Sequence, residues 1–480
     1  MSETNPLSDA RRVLLKRCLG GHAGRGVLNG PPARARQTIG VPMPLSLAQE
    51  QIWWNAQQTG VPPFYNESIT IHRRGSLDPI VLERCMREIL RRHEAWRTTF
   101  AVRAQHPVQI VQPVPASLPL DPIDLRPLPE SEREDQALQR AKAEVQRPFD
   151  LEKGPLFRAT LVRLADEDYR LYLSVHQIII DGVTAYHVFL PELASLYEAF
   201  SQGKPSPLPE PSIQYSDFCG LQRQSLREPQ LASQIAYWRA SLDGALPALR
   251  WPNDHPRPVK QTLRGLIYPF RLSNRLSRAV RELSQSAGVT LFVTLLTGLF
   301  ILLHRYTGQE DIVVGTVSPA GRKRIEVQNL MGYFLNPVAL RLRLAGDPTI
   351  NDLLVRVQQV VVGAVSNDDI PFERLVEILR PKDDSSRNPF FQVAASLEPS
   401  MPNVDSSWSL TPMDAESGGA RWDLYLVWDD RPSGIIGRVQ YNPDLLDRAT
   451  VTATLRYQEI LLDQMVTDLR KRLSELTFET

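Results

Sequence analysis

The sequence predicts a mixed α/β protein built as two lobes, and three observations predict it. The 480-residue length exceeds one ordinary domain and suits two units of roughly 150–250 residues. Strand-like and helix-like segments alternate along the chain without a strict βαβ rhythm, which favours mixed sheets carrying helices over a doubly wound arrangement. A Pro- and Ser-rich stretch, residues 201–215 (SQGKPSPLPEPSIQY), is the best candidate for a crossing between lobes. The expected organisation is a helical leader and linker over 1–40, an N-terminal lobe over 41–215 and a C-terminal lobe over 216–480.

Each element follows from its own pattern. Leu7, Val13, Leu14, Leu15 and Leu19 have helical spacing, and the stretch after them (GGHAGRGVLNGPPARARQ) reads as a linker, so the globular part begins near Pro42. Over residues 80–93, Leu82, Cys85, Met86, Ile89, Leu90 and His93 share one face, an amphipathic helix. Tyr169 to Ile180 (YRLYLSVHQIII) is β-rich and ends at the turn signal Asp181–Gly182. A helix follows (TAYHVFLPELASLYEAF), in which Pro191 either kinks the helix or resets its start. In the second half, DIVVGTVS, NPVALRLRL, WDLYLVWDD and GIIGRVQYN read as strands and INDLLVRVQQVVVGAV as a helix. The apolar run Val289–Leu303 is shorter than the ~20 residues that span a bilayer and contains Thr290, Thr294, Thr297 and Gly298, so it reads as a buried helix.

Composition excludes several function classes. With 55 basic and 54 acidic side chains the net charge is +1, which gives no electrostatic case for nucleic acid or an anionic membrane as partner. Cys18, Cys85 and Cys219 have no metal-type spacing and no disulfide framework, Cys85 reads as a buried thiol, and a reducing, cytoplasmic setting fits. The N-terminus has no signal-peptide apolar core. There is no GxxxxGK[ST] loop, no HExxH, no GxSxG elbow and no cysteine–histidine cluster, so a metal, a nucleotide or a serine nucleophile is not indicated.

One constellation is dense: His176-Gln177-Ile178-Ile179-Ile180-Asp181-Gly182, at a strand end before a helix. Alone, it reads equally well as a buried strand with a polar turn. Six further segments stand in a telling order. They are PLSLAQEQIWW (44–54), RRHEAWRTTF (91–100), QYSDFCGLQR (214–223), VGTVSPAGRKR followed by LMGYFLNPVALRLRL (314–344), NDDIPFERLVEIL (367–379) and SRNPFFQV (386–393). Together they resemble, from about residue 42 onward, the condensation domains of nonribosomal peptide synthetases. Those domains carry the signature HHxxxDG and the motifs RHExLRTxF, YxDFAxWQ, GxFVNT, HQDxPFExLV and SxxPLFQV. Here Trp96, Cys219 and Leu221 depart from the pattern.

The resemblance implies two chloramphenicol-acetyltransferase-like lobes in a V, with a tunnel between them and the signature near its middle. It implies an acyltransferase of antibiotic or secondary-metabolite biosynthesis with no cofactor of its own. Donor and acceptor carrier proteins would present their groups on 4'-phosphopantetheine arms, and the acceptor amine would attack the donor thioester to form an amide bond. Because both substrates arrive tethered, the protein's contribution would be mainly proximity. A monomeric domain next to an adenylation domain is expected. The segment LSDARRVLLKRCLGG resembles the leader that precedes such domains, and RKRLSELTFET resembles the linker into an adenylation domain. The chain therefore reads as the N-terminal piece of a larger synthetase, or as a free-standing protein, with the upstream carrier protein, or a free acyl donor, arriving from another polypeptide.

The resemblance also assigns roles. Gln177 stands where the family has its catalytic histidine, and His176 has the supporting position. Alternation along a strand points the two to opposite faces. A glutamine cannot accept a proton but can donate or accept hydrogen bonds, including to an oxyanion. A positioned acid–base group is worth about 10²–10⁴ in rate. Asp181 is expected to pair with Arg322, which otherwise reads as a surface arginine. Gly182 and Asn336 complete the expected catalytic set, with Arg92 and His93 as support. Val183 replaces a common Trp, and Tyr186, at a position that is often Gly, is expected with Thr184 to line and narrow the tunnel. His187 lies a turn and a half into the following helix, poorly placed to substitute as base. Heterocyclisation relatives carry Asp at the position of His176 and epimerisation relatives keep both histidines, so neither fits. A degenerate relative in glycopeptide-antibiotic synthetases has lost the motif histidine and recruits monooxygenases. Three readings stay open: a slowed or unusual condensation enzyme, a non-catalytic module that binds carrier proteins or a tailoring enzyme, and an introduced exchange at Gln177.

Overall fold

The computed structural model describes residues 39–57, 63–225, 228–244, 246–379, 384–412 and 415–479. The leader helix, Cys18 and the linker up to residue 38 lie outside the described residues. The described strands run β1 (Pro42–Pro44), β2 (Asn66–Arg74), β3 (Thr98–Arg103), β4 (His106–Val111), β5 (Ile123–Asp124), β6 (Phe157–Ala165), β7 (Asp168–His176), β8 (Leu266–Arg271), β9 (Asp311–Ser318), β10 (Asn336–Arg343), β11 (Val393–Leu397), β12 (Trp408–Pro412), β13 (Leu424–Arg431) and β14 (Gly434–Tyr441). They form a five-stranded sheet in the order β12-β2-β7-β6-β5, a six-stranded sheet β10-β9-β11-β13-β14-β8, and a small sheet β1-β4-β3.

In the first lobe β7 is central, antiparallel to β2 and β6. Its residues are buried from Tyr169 to His176, as a strand covered on both faces must be. The helix Pro79–Arg92 starts where the Asp78 carboxylate accepts the Ile80 and Val81 N–H groups, with Pro79 in its first turn. It buries Leu82, Cys85, Met86, Ile89 and Leu90, the face legible in the sequence. A second helix, Glu130–Val145, sets Ala137, Ala141 and Val145 against Val162, Leu164 and Tyr172.

The second lobe centres on the helix Leu291–Thr307, capped by Thr290 and ended by Gly308 at φ +66. Every residue from Val293 to Leu303 is buried, packed among helices Asn274–Ser286, Ile350–Ser366 and Arg448–Thr467. Each large apolar side chain so buried contributes about 1.5–3 kcal/mol. No single helix among the described residues is long and apolar enough to cross a membrane.

Two departures from the expected organisation matter. A single cut at residue 215 does not separate the sheets, because β12 pairs with β2 in the register Trp408↔Arg73 to Pro412↔Ile69 and so covers the edge that β2 would otherwise expose. Tyr215, Phe218, Val327, Leu330, Met331, Tyr333 and Phe334 also pack in the first lobe's core. Residues 471–478, expected as linker, fold back on the second lobe: Leu473 and Leu476 are buried, and Phe478 stacks on Tyr457 at 4.3 Å.

Candidate functional site

The motif sits where β7 ends. His176 is buried beside Tyr65 and Phe149, and its Nδ1 accepts the Ile178 N–H at 3.3 Å. Burial lowers its pKa to about 3, so the imidazole is neutral at ordinary pH and has little use as a base. Gln177 opens a 3₁₀ turn, Gln177–Ile179, and its backbone N–H is held by the Tyr65 carbonyl at 2.7 Å. Its side chain turns to the face opposite His176, where the amide Nε2 donates to Glu67 Oε1 on β2 at 3.1 Å. The β2–β7 register explains the pairing: Glu67 is opposite Val175, whereas Asn66 is opposite His176. A carboxylate acceptor also settles which amide atom faces it.

Asp181 and Arg322 form a buried ion pair at 3.0 Å. The Asp181 carboxylate also accepts the Thr184 N–H at 2.6 Å and the Phe334 N–H at 3.1 Å. Arg322 donates to the Val327 and Leu330 carbonyls at 3.1 and 3.0 Å and lies over the Phe334 ring at 4.2 Å. This one guanidinium ties the motif turn to the 327–334 segment. Arg92 grips Glu192 with two hydrogen bonds, of 3.1 and 2.8 Å, and His93 Nε2 meets the same carboxylate at 3.0 Å. His93 Nδ1 accepts the Met331 N–H at 3.4 Å. Burial opposes the Glu192 charge, but the bonds from His93 and Arg92 outweigh it and hold the carboxyl below its usual range. Arg92 and His93 thus brace the scaffold of the 330–334 segment.

Three expectations need correction. Thr184 lines no passage: it is fully buried, its hydroxyl donating to the Gly332 carbonyl at 2.9 Å. Tyr186 is fully buried too, its hydroxyl donating to Asp429 Oδ2 at 3.2 Å and accepting from Arg431 Nη2 at 3.1 Å, so it joins the lobes instead of narrowing a channel. The physical reason is that Thr184–Phe189 is a π-turn, which displaces side chains from the faces a 3.6-residue period assigns; Pro191 then stands in the first turn of the α-helix Leu190–Ser201. Asn336, expected in the catalytic set, has its amide engaged elsewhere. It donates to the carbonyls of Asp368 (2.9 Å) and Ile370 (2.7 Å) and accepts the Phe372 N–H (2.9 Å), clamping the approach to the helix Phe372–Leu379. His187 is exposed between buried Tyr186 and Val188.

The sequence reading missed a set of polar residues contributed from both sheets. Glu398, just after β11, pairs with Arg438 of β14 at 2.6 Å. A Cβ placed on Gly182 would stand 3.1 Å from Glu398 Oε2, so the motif glycine is where the second lobe's carboxylate closes on the turn. Tyr425 of β13 meets Ser396 at 2.7 Å beside them. Burial, and then the nearby Glu398, raise Glu67 to about 7, with Arg438 opposing. Glu398 is itself raised, by burial first. No local signal marked Glu67, which stands in the polar run Asn66-Glu67-Ser68 at the start of β2.

Two mixed α/β sheets with an HxxxxDG turn at their junction define a class, and comparison with known proteins names it. The condensation-domain family model matches residues 41–479, and the chain belongs to that family. It is similar to chondramide synthase cmdD of Chondromyces crocatus, 38% identical over 459 residues, 95% of this chain and 12% of that protein. The chain therefore spans about an eighth of that relative's length. Among solved structures it resembles the X-domain from teicoplanin biosynthesis, with TM-score 0.78 and 26% identity over 92% of this chain and 99% of that one. It also shares the fold of the first condensation domain of the calcium-dependent antibiotic synthetase, with TM-score 0.80 and 20% identity over 92% of this chain and 100% of that one. The fold is the chloramphenicol-acetyltransferase-like one.

Proposed function

We propose that this condensation domain joins an acyl or peptidyl thioester on one carrier protein to the amine of an aminoacyl group on a second, forming an amide bond. The observation that carries the reading is the buried Asp181–Arg322 frame, which holds Gly182 and the 327–334 segment in fixed relation to Gln177. A folded scaffold of that kind supports catalysis by placement. The acceptor α-amine, with an ordinary pKa of about 7.7–8.0, is largely uncharged slightly above neutrality, and the thioester is already activated. The partners are two carrier proteins bearing 4'-phosphopantetheine and, in a longer synthetase, an adenylation domain. The domain itself is monomeric and works in the cytoplasm.

One second reading has support. Gln177 in place of a base, together with the likeness to a teicoplanin X-domain that has been solved in complex with OxyB, favours a module that docks a tailoring enzyme. A single-turnover assay with donor- and acceptor-loaded carrier proteins, read by mass spectrometry, decides between them. Amide product from the unaltered chain is the expected result. Product only from Gln177→His would leave an intact centre that lacks its base. No product from either, with carrier-protein binding retained, would support docking.

A further inference from the structure

We propose that Glu67 is the proton acceptor for the attacking amine, standing in for the imidazole absent at position 177, with Gln177 as the positioning residue that orients its carboxylate. The inference rests on the condensation reading and goes beyond it, because it places the base on a different strand.

The geometry carries it. The Gln177 side-chain amide reaches Glu67 on the adjacent strand through one hydrogen bond of 3.1 Å, so the carboxylate lies one hydrogen bond beyond the end of the side chain at the motif's second position. That bond occupies one carboxylate oxygen. Glu67 is half-buried, and its second oxygen has no hydrogen-bond partner among the described residues. Among the described residues no basic side chain forms an ion pair with Glu67, because Arg438 pairs with Glu398 at 2.6 Å. A half-buried carboxylate held by a neutral amide and facing a second carboxylate destabilises the fold, and such local costs gather at functional sites. The groups that face Glu67 are known by element: Gln177 after β7, Glu398 after β11, Arg438 on β14 and Tyr425 on β13. Burial and Glu398 raise its carboxyl to about 7, near the value that serves a general base at neutral pH.

The proton balance closes with no outside reagent. The amine nitrogen attacks the thioester carbon, the C–N bond forms, and the proton released from nitrogen passes to the Glu67 carboxylate. As the C–S bond breaks, the pantetheine thiolate takes that proton, leaving an amide, a thiol and an ionised Glu67.

The test measures single-turnover rates from pH 6 to 9 for the unaltered chain, Glu67→Gln, Glu67→Asp and the double variant Glu67→Gln/Gln177→His, with carrier-protein binding and thermal melting measured on each. The ratio of the unaltered rate to the Glu67→Gln rate cancels the amine's own ionisation. The expected ratio climbs through pH 7 to a plateau of about 10². Glu67→Asp should keep part of the rate, and the double variant should regain it through the imidazole. A pH-independent ratio within threefold of unity, with binding and melting unchanged, overturns the assignment while leaving the condensation reading intact. No product from the unaltered chain alongside product from Gln177→His overturns both.

Discussion

Replacing Arg322 by Met tests the frame of the site most directly. The substitution keeps an unbranched apolar stem but removes every charged hydrogen bond. Asp181 would keep only the Thr184 and Phe334 N–H groups, and its carboxylate would be left buried without a counter-charge. The carbonyls of Val327, Gln328 and Leu330 would lose the donor they share, as would the Thr184 hydroxyl. Breaking a buried ion pair from one side costs about 3–5 kcal/mol. Neutralising the other side as well, with Asp181→Asn, removes the stranded charge, so the double variant should be less destabilised than the sum of the singles by about 2–3 kcal/mol. Urea unfolding followed by tryptophan fluorescence reads these differences, with the two lobes treated as separate transitions. The first-lobe transition should carry the loss, since the 327–334 segment packs in that core. A change below about 1 kcal/mol for Arg322→Met, or strict additivity in the double variant, would refute the view that this pair organises the turn.

Further expectations follow from the same contacts. Tyr186→Phe deletes a buried hydroxyl and leaves Asp429 and Arg431 with one partner fewer, so it should destabilise by about 1–3 kcal/mol in the same urea assay, without widening the range of acceptors used. Gly182→Ala should destabilise by about 1 kcal/mol, because the Cβ meets the Arg438-paired carboxylate of Glu398 at 3.1 Å and makes only ordinary contact with Pro399 at 3.8 Å, and should slow single-turnover condensation. For His176, burial lowers the folded pKa to about 3, against 6.5 unfolded. Between those values the unfolded chain holds a proton that the folded chain does not, so this group's contribution falls as pH drops from 6.5, by at most about 1.4 kcal/mol per unit. Glu67 runs the other way, its folded pKa of about 7 lying above 4.5, so its contribution fades as pH rises through that window. Stability curves of the unaltered chain and His176→Asn should therefore converge towards acid pH; parallel curves would contradict the burial argument.

The parts of the fold that were legible are those in which local pattern and burial coincide. Helix Pro79–Arg92 shows a 3.6 period because one face alone enters the core, and Leu291–Thr307 is apolar almost all round because the second lobe surrounds it. The insertion of β12 beside β2 was not legible. Trp408-Ser409-Leu410-Thr411-Pro412 alternates apolar and polar residues over only five positions, and its partner lies more than 300 residues earlier, so the pattern alone does not say which strand it joins. Thr184 and Tyr186 misled for a related reason. A π-turn shows no signature in a hydrophobic period, and a Tyr whose hydroxyl has buried partners reads in sequence like one facing a cavity.

The site divides along the same line, and the division bears on mechanism. The Asp181–Arg322 pairing could be expected from ordered motif matches, since each residue lies in a segment with its own recognisable neighbours. Glu67 and Glu398 lie outside every matched segment, and what makes them chemically unusual is their proximity, with Arg438 engaged by only one of them. Their strands belong to different sheets, β2 to the first and the end of β11 to the second, so the electrostatic state of the centre depends on how the lobes meet. A reading confined to the motif finds a lost histidine and infers lost catalysis. With the facing residues included, the same position is a glutamine bonded to a carboxylate of raised pKa, which can accept a proton where the glutamine cannot. The loss at position 177 is therefore a statement about one side chain, whereas proton acceptance is a property of the pair.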